Sequence, residues 1–256
     1  MHFSTGNYHD RTARVYEDIG MFTCDREFGE DGANLFNAIT GYSEVGQWNR
    51  LIIAPTDLRR RMNEMIEREI SKSTPENPGR IVMKMNSLID PRIIRRLYQA
   101  SMAGVQIRLC VRGACCLRPE APELSENIQV ISIVDRFLEH SRIYCFHNGG
   151  QEEIYLSSAD LMPRNLDRRI ELMFPVLDED LAQRIVRILD TVFNDNQRAW
   201  RLRPDGTYER RQPEPGEPPA RTQHIFMSQA MEQTETSRLR RLSTFHPKGP
   251  GAAPGT

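Results

Sequence analysis

Residues 46–208 are predicted to form an α/β fold, a parallel-rich sheet with helices on both faces. Two observations predict it. Short apolar runs of strand length alternate with segments of helical period, and the helices carry their own start and stop residues. The order β-α-β-α-β then implies parallel strands joined by right-handed crossovers.

Leu51-Ile52-Ile53-Ala54 reads as a short buried strand. From Thr56 a helical period places Leu58, Met62, Met65, Ile66 and Ile70 on one face, and Ser73–Gly79 breaks it. Arg80–Lys84 is the next strand. Asp90-Pro91 supplies an N-cap and a proline at the first helical position, so a helix follows that buries Ile93, Ile94, Leu97 and Tyr98 and stops at Gly104. Val105–Val111 alternates as a strand, and further strands are expected near 128–134, 142–146, 153–157 and 169–175. Asn148-Gly149-Gly150 suits a hairpin turn. Asp178 opens a last helix carrying Leu181, Ile185, Ile188, Leu189, Val192 and Phe193.

The flanks differ. Residues 1–45 hold one short helix near Asp31–Ile39 and read as the closing part of a domain that begins elsewhere. Residues 209–256, rich in Pro and Gly, read as a mostly disordered tail with at best a short helix near Phe226–Met231. Arg240-Arg241-Leu242-Ser243 resembles a phosphorylation site, a string that arises by chance in an Arg-rich chain.

Composition excludes several classes. The net charge of −1 argues against attachment to nucleic acid or lipid by bulk charge. No apolar run approaches the ~18 residues of a membrane span, and no signal peptide is visible. Five cysteines without framework or zinc spacing fit reduced thiols in a cytoplasmic protein. Basic residues number 34, of which only Lys72, Lys84 and Lys248 are lysine. Arginine's planar fork suits phosphate, although a GC-rich gene gives the same bias.

The chemistry concentrates in two places. Glu139-His140-Ser141-Arg142 runs into a strand, and Ser157-Ser158-Ala159-Asp160 follows the hairpin; Ser4-Thr5-Gly6-Asn7 lies near the N-terminus. A histidine two residues before a cation at a strand start, then a small-small-x-Asn/Asp turn, resembles the half-site of the phospholipase D superfamily. There an imidazole attacks phosphorus while a cation and turn donors hold the oxygens. His140 and Arg142 share a strand face.

Longer strings, STGNYHDRTARVYED, LFNAITGY, KMNSLID, LYQASMAGV, VRGACCLRP, SENIQVISIVDRFLEHSRIY and SSADLMPRNLDRRIEL, resemble the C-terminal region of the bacterial polyphosphate kinase type 1 family over about Ser4–Tyr208. The resemblance implies two phospholipase D-like domains and reversible transfer of the γ-phosphoryl group of ATP to inorganic polyphosphate through a phosphohistidine. It implies ATP contacts at Tyr16, Arg112 and His140, with His140 catalytic. Arg142, Ser158, Arg164 and Asn165 are carried over as phosphate-binding positions. Arg118, Arg136, Arg168 and Arg169 extend a basic set suited to a polyphosphate chain. Mg2+ is expected with ATP, its protein ligands in the family lying outside these residues. The family's phosphorylated histidine sits in a V-H-A-K motif, which does not occur in the 256 residues. A fragment, a homo-oligomer or a chain needing its missing half is therefore expected. Two other readings stay open: a non-catalytic nucleotide- or polyphosphate-binding fragment, and a phosphodiesterase acting on lipid or DNA. The second would more naturally keep Lys in place of Arg142 and Asn in place of Asp160. His9, His147 and Cys115-Cys116 receive no role.

Overall fold

The computed structural model describes residues 1–41 and 47–244, with side chains described to 236. The elements in order are β1 (His2–Ser4), β2 (Tyr16–Glu17), β3 (Gly20–Phe22), α1 (Arg26–Ile39), β4 (Ile52–Ala54), α2 (Leu58–Lys72), β5 (Arg80–Met85), α3 (Pro91–Met102) and β6 (Gln106–Val111). They continue as β7 (Ile128–Ile133), β8 (Leu138–Glu139), β9 (Arg142–Phe146), β10 (Glu153–Ser157), α4 (Pro163–Asp167), β11 (Glu171–Pro175), α5 (Glu179–Phe193), β12 (Ala199–Leu202), β13 (Tyr208–Arg210) and α6 (Thr222–Thr244).

The expected caps form. Asp90 accepts from the amides of Arg92 and Ile93 at 3.0 and 3.1 Å, Asp178 from Leu181 at 2.9 Å, and Gly104 sits at φ +85° just beyond α3. A nine-stranded sheet, β13-β12-β7-β6-β5-β9-β10-β11-β4, forms the centre. Because strand side chains alternate, each strand feeds two cores. Ile81, Met83, Leu109 and Tyr144 pack with Met62, Met65, Ile66 and Leu97 from α2 and α3 on one face. Cys110, Ile131, Ile143 and Phe174 pack with Phe28 of α1 and Ile185, Leu189 and Val192 of α5 on the other.

The α/β class with helices on both faces is thus present, but within the nine-stranded sheet parallel pairing is confined to β5-β6-β7. β4 does not lie beside β5; it pairs antiparallel with β11 at the far edge, because the β9-β10-β11 meander occupies the space between. The second difference is at the C-terminus. β13 pairs with β12, and α6 spans Thr222–Thr244, longer at both ends than the short helix expected near Phe226–Met231 within a mostly disordered tail. No Pro or Gly interrupts 220–246, so helix propensity is free to act between the Pro-rich flanks. The first turn of α6 is anchored: Asp195 accepts from the Thr222 amide at 2.8 Å, and Asp135 takes Arg221 at 2.6 and 2.8 Å. Ser243 lies in α6 without a described side chain, the domain boundary near residue 45 falls outside the described residues, and so do residues 245–256.

Candidate active site

One end of the sheet gathers the chemistry. β5 and β6 end there, just before Asn86 and Arg112; the antiparallel β9 begins there, at Arg142; β10 ends there, just before Ser158–Asp160; and β11 begins there, at Glu171. Loops at the carboxyl ends of parallel strands are the usual ligand position in α/β sheets.

His140 is 9% exposed. Its Nδ1 lies 3.0 and 2.9 Å from the two Asp18 carboxylate oxygens, which makes that nitrogen a donor to Asp18. Thr5 Oγ1 holds Asp18 in turn at 2.8 Å, and any side chain at Gly6 would run into the Asp18 carboxylate, so the STGN turn is built around this acid. The Tyr16 ring packs on the imidazole with centroids 4.8 Å apart. Arg142 Nη1 approaches both ring nitrogens, at 3.2 and 3.1 Å, and donates to the Thr5 carbonyl at 3.0 Å.

Asp160 accepts from Arg142 Nε and Nη2 at 3.3 and 3.1 Å and from the Asn86 amide at 2.8 Å. An aspartate rather than an asparagine at this turn is what a buried guanidinium requires, since an unpaired charge here would be costly. Arg112 Nη2 donates to Asn86 Oδ1 at 2.8 Å, and Asn86 Nδ2 reaches the His140 carbonyl at 3.3 Å. Gly113 lets this approach occur, because a Cβ there would stand 2.9 Å from the Asn86 carbonyl oxygen. Tyr16, Arg112, His140 and Arg142 are therefore brought together.

Ser158 and Asn165 meet on Glu171: Ser158 Oγ donates to it at 2.5 Å, and Asn165 Nδ2 donates to its other oxygen. Arg164 is exposed and makes no side-chain hydrogen bond or ion pair among the described residues, so it does not join this arrangement. Sequence reasoning missed Asp18, Asn86 and Glu171. Asp18 was findable, since it lies two residues from Tyr16 on an extended segment and shares its face.

Asp18 and Glu17 line one end of a hollow of about 700 Å³ that continues past Leu156, Ile185 and Phe226. Among the described residues no three of His, Cys, Asp and Glu cluster as metal ligands. Asp18 and Asp160 are each engaged by the basic side chains beside them, so the carboxylates at the cleft do not fit a resident Mg2+ site. No described helix is long and apolar enough to cross a membrane.

The profile "Polyphosphate kinase C-terminal domain 2" matches residues 51–223, and "Polyphosphate kinase C-terminal domain 1" matches 1–45. The chain is 53% identical to a polyphosphate kinase of Synechocystis over 94% of its length and 33% of the relative's. It is 47% identical to one of Rhodopirellula baltica over 98% of its length and 29% of the relative's. The crystal structure of polyphosphate kinase from Porphyromonas gingivalis superposes with a TM-score of 0.87 at 41% identity, covering 92% of this chain and 36% of that one. The chain spans about a third of the length of the curated relatives it matches. With one profile covering 51–223 and such relatives along nearly its whole length, the chain belongs to the polyphosphate kinase family.

Proposed function

We propose that the chain supplies one half of a phosphoryl-transfer site that moves the γ-phosphoryl of ATP reversibly onto inorganic polyphosphate by way of a phosphohistidine, in the cytoplasm. In this reading residues 1–45 close one domain, and 46–208 form the next. The observation that carries it is the meeting of Tyr16 and Asp18 with His140, across more than 120 positions, beside Arg112 and Arg142.

Phosphoryl transfer demands positioning and charge stabilisation more than covalent chemistry from most of the site. Tyr16 offers a ring face for the base or ribose. Arg112 and Arg142 offer donors to phosphate oxygens. His140, its Nδ1 proton held by Asp18, presents Nε2 to accept or return a proton. Asn165 and Ser158, gathered on Glu171, line the neighbouring turn, where Asn165 Nδ2 keeps a second N–H for a phosphate oxygen while the Ser158 proton is held by Glu171. Mg2+ travels with ATP in this scheme, and no step uses a protein ligand for it.

The test mixes the 256-residue chain with the preceding segment of a longer relative, the part carrying its V-H-A-K motif, in γ-labelled ATP and Mg2+. Acid-labile label and polymer should form with both pieces and vanish with His140→Ala in the chain. Robust turnover by the chain alone would overturn the two-piece scheme. Binding of ATP without transfer in the mixture would favour a non-catalytic nucleotide-binding role.

A further inference from the structure

Directly behind His140 lies a buried cation that the scheme above does not use. Lys84, on β5, is 2% exposed. Its ammonium donates to Glu17 Oε2 and Ser141 Oγ, each at 2.8 Å, and forms an ion pair with Glu139 Oε2 at 2.9 Å. The partners bracket the site in sequence. Glu17 stands between Tyr16 and Asp18, while Glu139 and Ser141 flank His140. Strand alternation turns Glu17, Glu139 and Ser141 toward Lys84 and leaves Tyr16, Asp18 and His140 to face one another.

The two strands involved share few backbone bonds of their own, Leu138 N to the Val15 carbonyl at 2.8 Å and His140 N to the Glu17 carbonyl at 3.2 Å. β2 and β8 are two residues each, paired in parallel as Tyr16 with Leu138 and Glu17 with Glu139. That register sets two carboxylates side by side, an arrangement that by itself pushes strands apart. A single ammonium between them reverses the sign of the interaction. The other groups facing it are the Cys110 thiol, which burial pushes up to about 12 and so keeps uncharged, and Gln223 of α6, which donates to Glu139 at 2.8 Å. Burial opposes charge throughout, yet the Lys84 ammonium holds Glu17 below the usual carboxylate range, while burial leaves Glu139 above it.

We propose that Lys84 is a positioning residue: its buried charge clamps β2 onto β8 and thereby holds Tyr16 and Asp18 against the His140 ring. The inference rests on the proposed function only in taking His140 as the group worth positioning, and its readout needs no ATP, so the two can fail separately. The chain is labelled with ¹⁵N-histidine, and the His140 ring signals are assigned by their absence in His140→Gln. In the parent chain the Nδ1 proton should show the downfield shift of a bond to a carboxylate, and Asp18→Asn should lose it. Lys84→Met should lose it as well. Because that variant leaves two buried carboxylates without a cation and can fail to fold, Lys84→Met/Glu139→Gln is made beside it. The double variant removes one charge of each sign, should keep the native circular dichroism spectrum, and should still show the Asp18→Asn pattern. A folded single or double variant with the parent His140 signal overturns the proposal. So does failure of both to fold, which would make Lys84 a structural residue.

Discussion

Replacing Asp31 by alanine should detach the N-terminal segment from the sheet. Asp31 is 0% exposed, on α1, and its carboxylate accepts four hydrogen bonds: Asn49 N at 2.9 Å, Asn49 Nδ2 at 3.0 Å, Arg50 N at 2.7 Å and Leu51 N at 2.8 Å. These tie α1 to the chain entering β4. The Leu51 amide is buried, so leaving it unpaired costs about 1–3 kcal/mol. The three partly buried donors can be reached by water and cost less each, roughly 0.5–1 kcal/mol. The total is about 2.5–6 kcal/mol, or on the order of 10 °C in a chain of this size at ~2–4 °C per kcal/mol. Asp31→Asn, which keeps one acceptor oxygen, should fall between parent and Asp31→Ala in a thermal melt followed by circular dichroism. ATP affinity should drop with it although Asp31 lies away from the cleft, because the same segment carries Tyr16 and Asp18. A melting temperature for Asp31→Ala within 2 °C of the parent would refute the reasoning.

Acid should weaken the fold in a defined direction. The Arg221 bond holds Asp135 below its ordinary value and the Arg59 bond does the same for Asp167, while at Asp90 the Arg59 contacts outweigh burial. The unfolded chain takes up these protons first, so their stabilisation is complete above about pH 5 and is lost as pH falls through the lowered folded values. Melting temperatures should therefore decline between pH 5 and pH 2, and a flat profile would contradict the pairing. Hydrogen exchange should find protected amides in the first turns of α6, with Gln223→Ala loosening them by removing its bonds to Phe137 and Glu139; full exchange in the parent would contradict the anchoring.

Local structure was legible where local chemistry decides it. Asp90-Pro91, Gly104 and Asp178 bound their helices as the sequence indicates, because capping needs only neighbouring residues. Pairing partners were less legible: Ile52–Ala54 reads as a strand, but nothing within it says that its neighbour is Glu171–Pro175 rather than Arg80–Met85. The same limit applied at the cleft. His140, Arg142 and Arg112 carry motif signals, whereas Asp18, Lys84 and Asn86 acquire meaning only when strands distant in sequence come together. Only the Phe226–Met231 part of α6 was legible, because the Pro-rich flanks on either side of its helix-forming residues dominate any average.

The most direct measurement is calorimetric titration of Mg-ATP into the 256-residue chain and into Tyr16→Ala, Arg112→Met and His140→Ala, each checked for an unchanged melting profile. If these three side chains form one nucleotide cleft, each variant should lose at least about tenfold in affinity, the equivalent of ~1.4 kcal/mol. Parent-like affinity in all three folded variants would contradict the account.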